Sequence, residues 1–223
     1  MTQEAFKLKR QYNYHSKFMT LKEGLKLVGQ PVEIPNCSRD GLPEFFAEQG
    51  YKVGAEIGVY QGVFTEQFCK AGLKIYGIDP WISFKGQGRS QRVQDNQESN
   101  YNYTRKLLSP YGSDRCELIR KTSMEAVRDF RDGSLDFVYI DGDHSFRYVA
   151  EDIYEWTKKV RSGGIVSGHD YWHSGPESRN LVCHVDAVVD AYTKLFDIKN
   201  WYIFGNIGRG SNNSVSSWMF IKQ

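Results

Sequence analysis

One stretch constrains this chain more than any other: Val53-Gly54-Ala55-Glu56-Ile57-Gly58-Val59-Tyr60-Gln61-Gly62. It reads as an apolar strand running into a glycine turn, with a helix opening behind it. Gly58 and Gly62 let the backbone turn sharply and approach a ligand with no Cβ in the way. The helix that follows starts with unpaired N–H groups. Strand, turn and helix in that order make the framework of a nucleotide-like cofactor site.

The chain after this stretch repeats the alternation. The spacing of Phe64, Phe68 and Ala71 predicts a short helix over 62–71, stopped by Gly72. Lys74–Asp79 reads as the second strand, broken by Pro80. Cys116–Arg120 is a third strand, and Thr122 with Glu125 three residues on fits a capping box. Leu135–Ile140 is a fourth strand, ending on Asp141. Phe146, Val149, Ile153, Trp156 and Val160 fall at helical steps, with Gly163-Gly164 as the expected stop. Gly164–Gly168 reads as a fifth strand, leading to His169-Asp170. A helix carrying Val185, Val188, Val189, Tyr192 and Leu195 follows. Trp201–Phe204 and Val215–Ile221 then read as a closing hairpin around a Gly/Asn/Ser-rich loop. Strands alternating with helices predict a three-layer α/β domain with a mostly parallel sheet. Ahead of it, Gln30–Pro35 reads as extended connector, and Pro43 opens a helix that Gly50 closes. The expected division is a lead-in or cap over 1–44 and one domain over 45–223. That lead-in either covers the active rim or joins like chains into a homo-oligomer.

With 223 residues, the chain has room for one well-buried domain. A net charge of +2 writes no large attraction to nucleic acid or membrane into the total. Cys37, Cys69, Cys116 and Cys183 form no CxxC pair, which points to neither zinc nor a disulfide framework. No apolar run of about 18 residues is present, so no membrane span is expected. A cytoplasmic protein is expected by default. The polar stretch 81–115 interleaves basic and aromatic residues. A solvated helix with a loop, a substrate lid or a nucleic-acid surface are its three readings.

In parallel sheets of this kind, ligands bind beyond the carboxyl ends of the strands, at the switch in strand order. Glu56, Asp79, Asp141 and His169-Asp170 all stand at such ends and should converge on one rim. The turn is not the G-x-G-x-x-G of a dinucleotide site, nor a P-loop. Glu56 before it would repel a pyrophosphate and suit a ligand with a cationic amino group; capping of the following helix is the plainer alternative. Asp79 lies 23 residues beyond Glu56, near the ~20-residue offset at which an acid meets ribose hydroxyls.

These residues together resemble the class I S-adenosylmethionine-dependent methyltransferases. Glu56–Gly62 is similar to their first motif and Tyr76–Trp81 to their second. Val138–His144 and Gly163–Tyr171 are similar to the later ones. The likeness is nearest to a bacterial branch of O-methyltransferases acting on sugars and natural products, and it spans roughly residues 45–223. It implies a Rossmann-like methyltransferase fold with an antiparallel last strand. It also implies S-adenosyl-L-methionine held by Glu56, Gly58, Val59, Tyr60, Gly62, Asp79, Trp81, Ser123 and Asp141. Glu56 and the turn would take the methionine end, Asp79 the ribose, and Trp81 and Ser123 the adenine.

Methyl transfer to a hydroxyl of a small-molecule acceptor needs the acceptor placed and its proton removed. The resemblance implies His144 as the base, with Asp141 also catalytic. It implies a divalent metal, magnesium or manganese, on Asp141, His169 and Asp170. Histidine at 169 stands where the family carries an acid, and imidazole suits manganese, iron or zinc better than magnesium. This departure leaves open that His169 is no ligand, or is itself the base. Three rivals remain: methylation of nitrogen in a small molecule or macromolecule, a cofactor-binding protein without catalysis, and an iron hydroxylase on the same scaffold. No nucleic acid is expected as partner, because the [DNS]-P-P-[YFW] sequence of amide and adenine methylation is absent.

Overall fold

A computed structural model describes residues 19–27, 29–35, 37–82, 96–171, 183–205 and 216–223. Residues 83–95 of the stretch 81–115, the 172–182 loop, His15, His173 and the Gly/Asn/Ser-rich loop 206–215 lie outside the described residues. The strands are β1 (Val32–Pro35), β2 (Val53–Ile57), β3 (Lys74–Ile78), β4 (Cys116–Ile119), β5 (Leu135–Ile140), β6 (Val160–Tyr171), β7 (Trp201–Gly205) and β8 (Ser216–Ile221). They form one eight-stranded sheet in the order β1-β7-β8-β6-β5-β2-β3-β4. β8 runs antiparallel to both of its neighbours, and the other pairs are parallel. The sheet is therefore mostly parallel, as the alternation predicts, with the antiparallel last strand that the resemblance implies.

Alternation along each strand builds two cores. Val138 and Ile140 face one side with Ala55 and Ile57, under the helices α7 (Phe146–Lys159) and α8 (Val185–Leu195). Phe137 and Tyr139 face the other, under α2 (Leu42–Glu48) and α3 (Val63–Lys70). Four shorter or more peripheral helices complete the described residues: α1 (Leu21–Gly24), α4 (Gln97–Leu108), α5 (Gly112–Arg115) and α6 (Ser123–Ala126). The Thr122–Glu125 capping box forms as expected at α6. No helix among the described residues is long and apolar enough to cross a membrane.

Two boundaries differ from expectation. The Gln30–Pro35 connector contains β1, which pairs with β7 at the sheet edge. Its alternation of buried Val32, exposed Glu33 and buried Ile34 is that of a strand. The flanking prolines hide it, yet proline is tolerated at an edge. Leu21, Val32, Ile34 and Leu42 join the same core as Phe46 and Phe68, so residues 21–44 are part of this domain's packing. The second difference is at Gly163-Gly164, which does not stop α7. The helix ends at Lys159, and β6 runs through both glycines. A Cβ on Gly164 would stand 2.3 Å from the Asp136 carbonyl oxygen, so glycine is required there by close approach of strands.

Ile34 is fully buried and its side chain fills the space where Gly24 lacks a Cβ. Ile34→Ala should cost about 2–5 kcal/mol in urea unfolding. A connector outside the core would lose almost nothing.

Candidate active site

Strand register builds the rim. Ile57 lies level with Ile78 on one side and Ile140 on the other, and Ile140 with Gly168. The next residues continue the ladder: Gly58 N donates to Ile78 O at 2.9 Å and Asp141 N to Ile57 O at 2.8 Å. Gly58 has φ +90°, and a Cβ there would fall 2.1 Å from the Asp141 carbonyl oxygen. Only glycine fits this crossing. Gly62 has φ +74°, and its missing Cβ makes room for Thr104 of α4.

The turn between these glycines is tied on three sides. Tyr60 N donates to Asp79 Oδ2 at 3.0 Å, and Tyr60 O accepts from Trp81 Nε1 at 2.8 Å and Thr104 Oγ1 at 3.0 Å. Asp79 Oδ1 also accepts from Trp81 N at 2.7 Å. An ionised carboxylate has lone pairs beyond these two for further donors, and Asp79 remains partly exposed at the rim. Val59 is buried under the turn. Three of the expected contact residues have close partners within the protein. Glu56 is 2% exposed and accepts from Thr65 Oγ1, sealed between strand and helix. Trp81 is 1% exposed and packs on Tyr101. Ser123 donates to Asp152 and accepts from Trp156 Nε1.

Across the rim, Asp141, His144 and Asp170 come together, their ligand atoms within 4.8 Å of one another. His144 Nε2 lies 2.9 Å from Asp170 Oδ2 and 3.7 Å from Asp141 Oδ1. No hydrogen bond of good geometry closes on that buried nitrogen. His169 is outside the group; its Nδ1 lies 3.5 Å from the other Asp170 oxygen. His144, and not His169, therefore stands with the two acids. A bulge is the cause. Gly168 pairs with Trp218 and Tyr171 with Ser216, so two residues of β6 oppose one of β8. Asp170 takes φ +57° within it, a conformation that a non-glycine residue adopts only at a cost. Asp143 Oδ1 accepts from Ser145 N ahead of α7, as a cap does. His184 anchors the same loop, its N donating to His144 O at 2.8 Å and its Nδ1 accepting from Phe146 N at 3.1 Å.

Charge in this group is strongly coupled. Burial opposes a charged His144, but Asp141 and Asp170 outweigh it and raise its pKa from 6.5 to about 10. Burial likewise opposes the Asp170 carboxylate, and His144 and His169 more than offset it, holding the group well below the usual carboxylate range. The three donors, two carboxylates and an imidazole, are of a kind that fits a divalent cation.

Sequence reading missed Arg39, which follows Ser38 at the start of a helical turn. Arg39 Nη1 reaches Asp141 Oδ2 at 3.0 Å and the Tyr139 hydroxyl at 3.2 Å. A lone arginine in a loop carries no periodicity, and its partner is 102 residues away. Asn100 and Thr104, which brace the glycine turn, were hidden for the same reason.

The family model described as "Methyltransferase domain" matches residues 55–171, just over half of the chain. The chain belongs to this methyltransferase family. Solved structures share the fold of this methyltransferase. The O-methyltransferase of Bacillus cereus, solved with SAH, has a TM-score of 0.58 at 14% identity over 82% of this chain and 80% of that one. TomG of Streptomyces achromogenes, an O-methyltransferase of tomaymycin synthesis solved with SAM, has 0.58 at 13% over 83% and 80%. An rRNA methylase of Streptococcus thermophilus has 0.55 at 15% over 82% and 95%. An uncharacterized protein of Sinorhizobium fredii is 26% identical over 126 residues, 52% of this chain. The methyltransferase spans only 12% of that relative's length.

Two buried acids lie beneath the methyltransferase rim. Burial pushes Glu56 from 4.5 up to about 8, against the Thr65 hydrogen bond. It pushes Asp152 from 3.8 up to about 7, against Ser123. Between the unfolded and folded pKa values the native state binds more protons than the unfolded state. Stability from these groups is therefore fully present at low pH and declines as pH rises toward 8. In urea unfolding from pH 5 to 8, Glu56→Gln should flatten that decline while keeping an acceptor for Thr65. An unchanged slope would mean that Glu56 is not held neutral.

Proposed function

We propose that this methyltransferase carries a methyl group from S-adenosylmethionine to a hydroxyl of a small-molecule acceptor, with a divalent cation at Asp141, His144 and Asp170. The convergence of those three side chains, with His144 Nε2 set between two carboxylates, carries this reading. It sits beside the Gly58–Gly62 turn, where the strand order reverses between β5 and β2 and cofactors of such sheets bind. Asp79 stands at the neighbouring strand end, suited to a ribose diol. The sulfonium methyl is activated before it binds, so the protein's task is to orient the acceptor and dispose of its proton.

A cation at the three donors would lower the pKa of an acceptor hydroxyl. His144 is a better ligand than base here, because the two carboxylates keep it protonated at neutral pH. A proton and a metal compete for its Nε2. His169, set against the far oxygen of Asp170, is then the side chain left to take the acceptor's proton. The fold is shared with an rRNA methylase as well as O-methyltransferases, so the choice of hydroxyl rests on the acid–imidazole–acid group and not on the scaffold.

Manganese binding, followed by electron paramagnetic resonance, tests the group directly. Wild type should bind one ion and release protons on binding. Asp170→Asn and His144→Ala should each weaken it by at least about tenfold, while S-adenosylhomocysteine still binds by calorimetry. Unchanged manganese affinity in both variants would remove the metal reading. Absence of any S-adenosylhomocysteine binding by wild type would remove the cofactor reading.

A further inference from the structure

We propose that Arg39 anchors the carboxylate of the cofactor's methionine end, an inference that rests on S-adenosylmethionine being the cofactor. Arg39 comes from the lead-in, outside the 55–171 stretch matched by the family model. It is delivered by a fixed element: Ser38 accepts from Asp40 N through its hydroxyl, and the turn runs straight into α2. Its guanidinium carbon lies 5.0 Å from the ring centre of Phe64. Phe64 is in the first turn of α3, two residues past Gly62, so the guanidinium stands at the mouth of the glycine turn.

Among the described residues, only one of its three nitrogens finds a partner. Nη1 serves both Tyr139 and Asp141, while Nε and Nη2 donate to no described residue. The side chain is 33% exposed, so these donors are within reach of a ligand. A structural ion pair alone would be met by a lysine's single charge. A planar fork with one nitrogen fixed and two free is matched to a carboxylate. The acids around the turn, Glu56, Asp79 and Asp141, offer no positive charge to an anion arriving there. Arg39 supplies it. The amino-acid end of S-adenosylmethionine carries the carboxylate that fits. An anionic acceptor has the same chemistry, and the position over Phe64 and the turn favours the cofactor.

Calorimetry with two nucleosides separates the sources. S-adenosylhomocysteine carries the amino-acid end; 5′-methylthioadenosine lacks it. Arg39→Ala should weaken S-adenosylhomocysteine roughly 10–100-fold and leave 5′-methylthioadenosine unchanged. Arg39→Lys should recover part of the loss, and it decides the matter if the alanine variant melts too low to assay. Equal weakening of both nucleosides would make Arg39 a structural tie only. Unchanged S-adenosylhomocysteine affinity in both variants would refute the anchor and point to an anionic acceptor. If wild type binds neither nucleoside, the cofactor reading itself fails, and it does so before any variant is compared.

Discussion

Two backbone segments cross at Gly58 and Asp141 with no room for a side chain between them. Both sides of the active rim hang on this contact. The glycine turn begins at one partner, and the acid that opens the β5–α7 loop is the other. Because β2 and β5 are parallel and in register, the hydrogen bonds from Gly58 N to Ile78 O and Asp141 N to Ile57 O simply extend the sheet. A Cβ at 58 would push the Asp141 carbonyl away and force a strained positive φ as well. It would move the cofactor turn and the acid–imidazole–acid group together. The pairing of strands thus sets the spacing between the two halves of the site.

The second constraint is electrostatic. Asp141 and Asp170 are brought close on a partly buried rim, where two like charges repel. Arg39 and His144 answer that repulsion from opposite sides, one through Asp141 Oδ2 and the other between the two acids. A divalent cation is the third answer available to the same atoms. The geometry of β6 belongs to this solution, since the bulge at His169-Asp170 sets one oxygen of Asp170 on His144 and the other near His169. Backbone strain at Asp170 is offset by the contacts it gathers.

Much of this was legible in the chain. Regular alternation found β2, β3, β4, β5 and β8 almost residue by residue, and it placed Asp79, Asp141 and Asp170 at one rim. It failed where local rules were overridden. Prolines disguised β1, because an edge strand tolerates them and a central strand does not. Glycines at 163 and 164 looked like a helix stop but serve the close approach of β6 to Asp136. His169 stands outside the group of Asp141, His144 and Asp170 because strand reasoning assumes a regular pleat, and a bulge abolishes the alternation that would orient its side chain. Residue type at a motif position does not say which neighbour in the fold each polar group meets: Thr65 for Glu56, the Tyr60 carbonyl for Trp81 and Asp152 for Ser123.

Arg39 carries this argument one step further. The stretch shared with the family ends well short of both termini, yet the described lead-in is woven into the sheet through β1 and into the core through Leu21, Val32 and Leu42. That anchoring lets a surface turn hold a guanidinium in place at the rim. A side chain on an unanchored loop would lose much of its binding energy to ordering, whereas Arg39 is ordered before any ligand arrives by Phe64, Tyr139 and Asp141. The edge strand and the position of Arg39 are therefore linked through packing. The apolar residues of the lead-in stabilise it against the sheet, and that stability fixes one polar group from outside the shared stretch at the centre of the site.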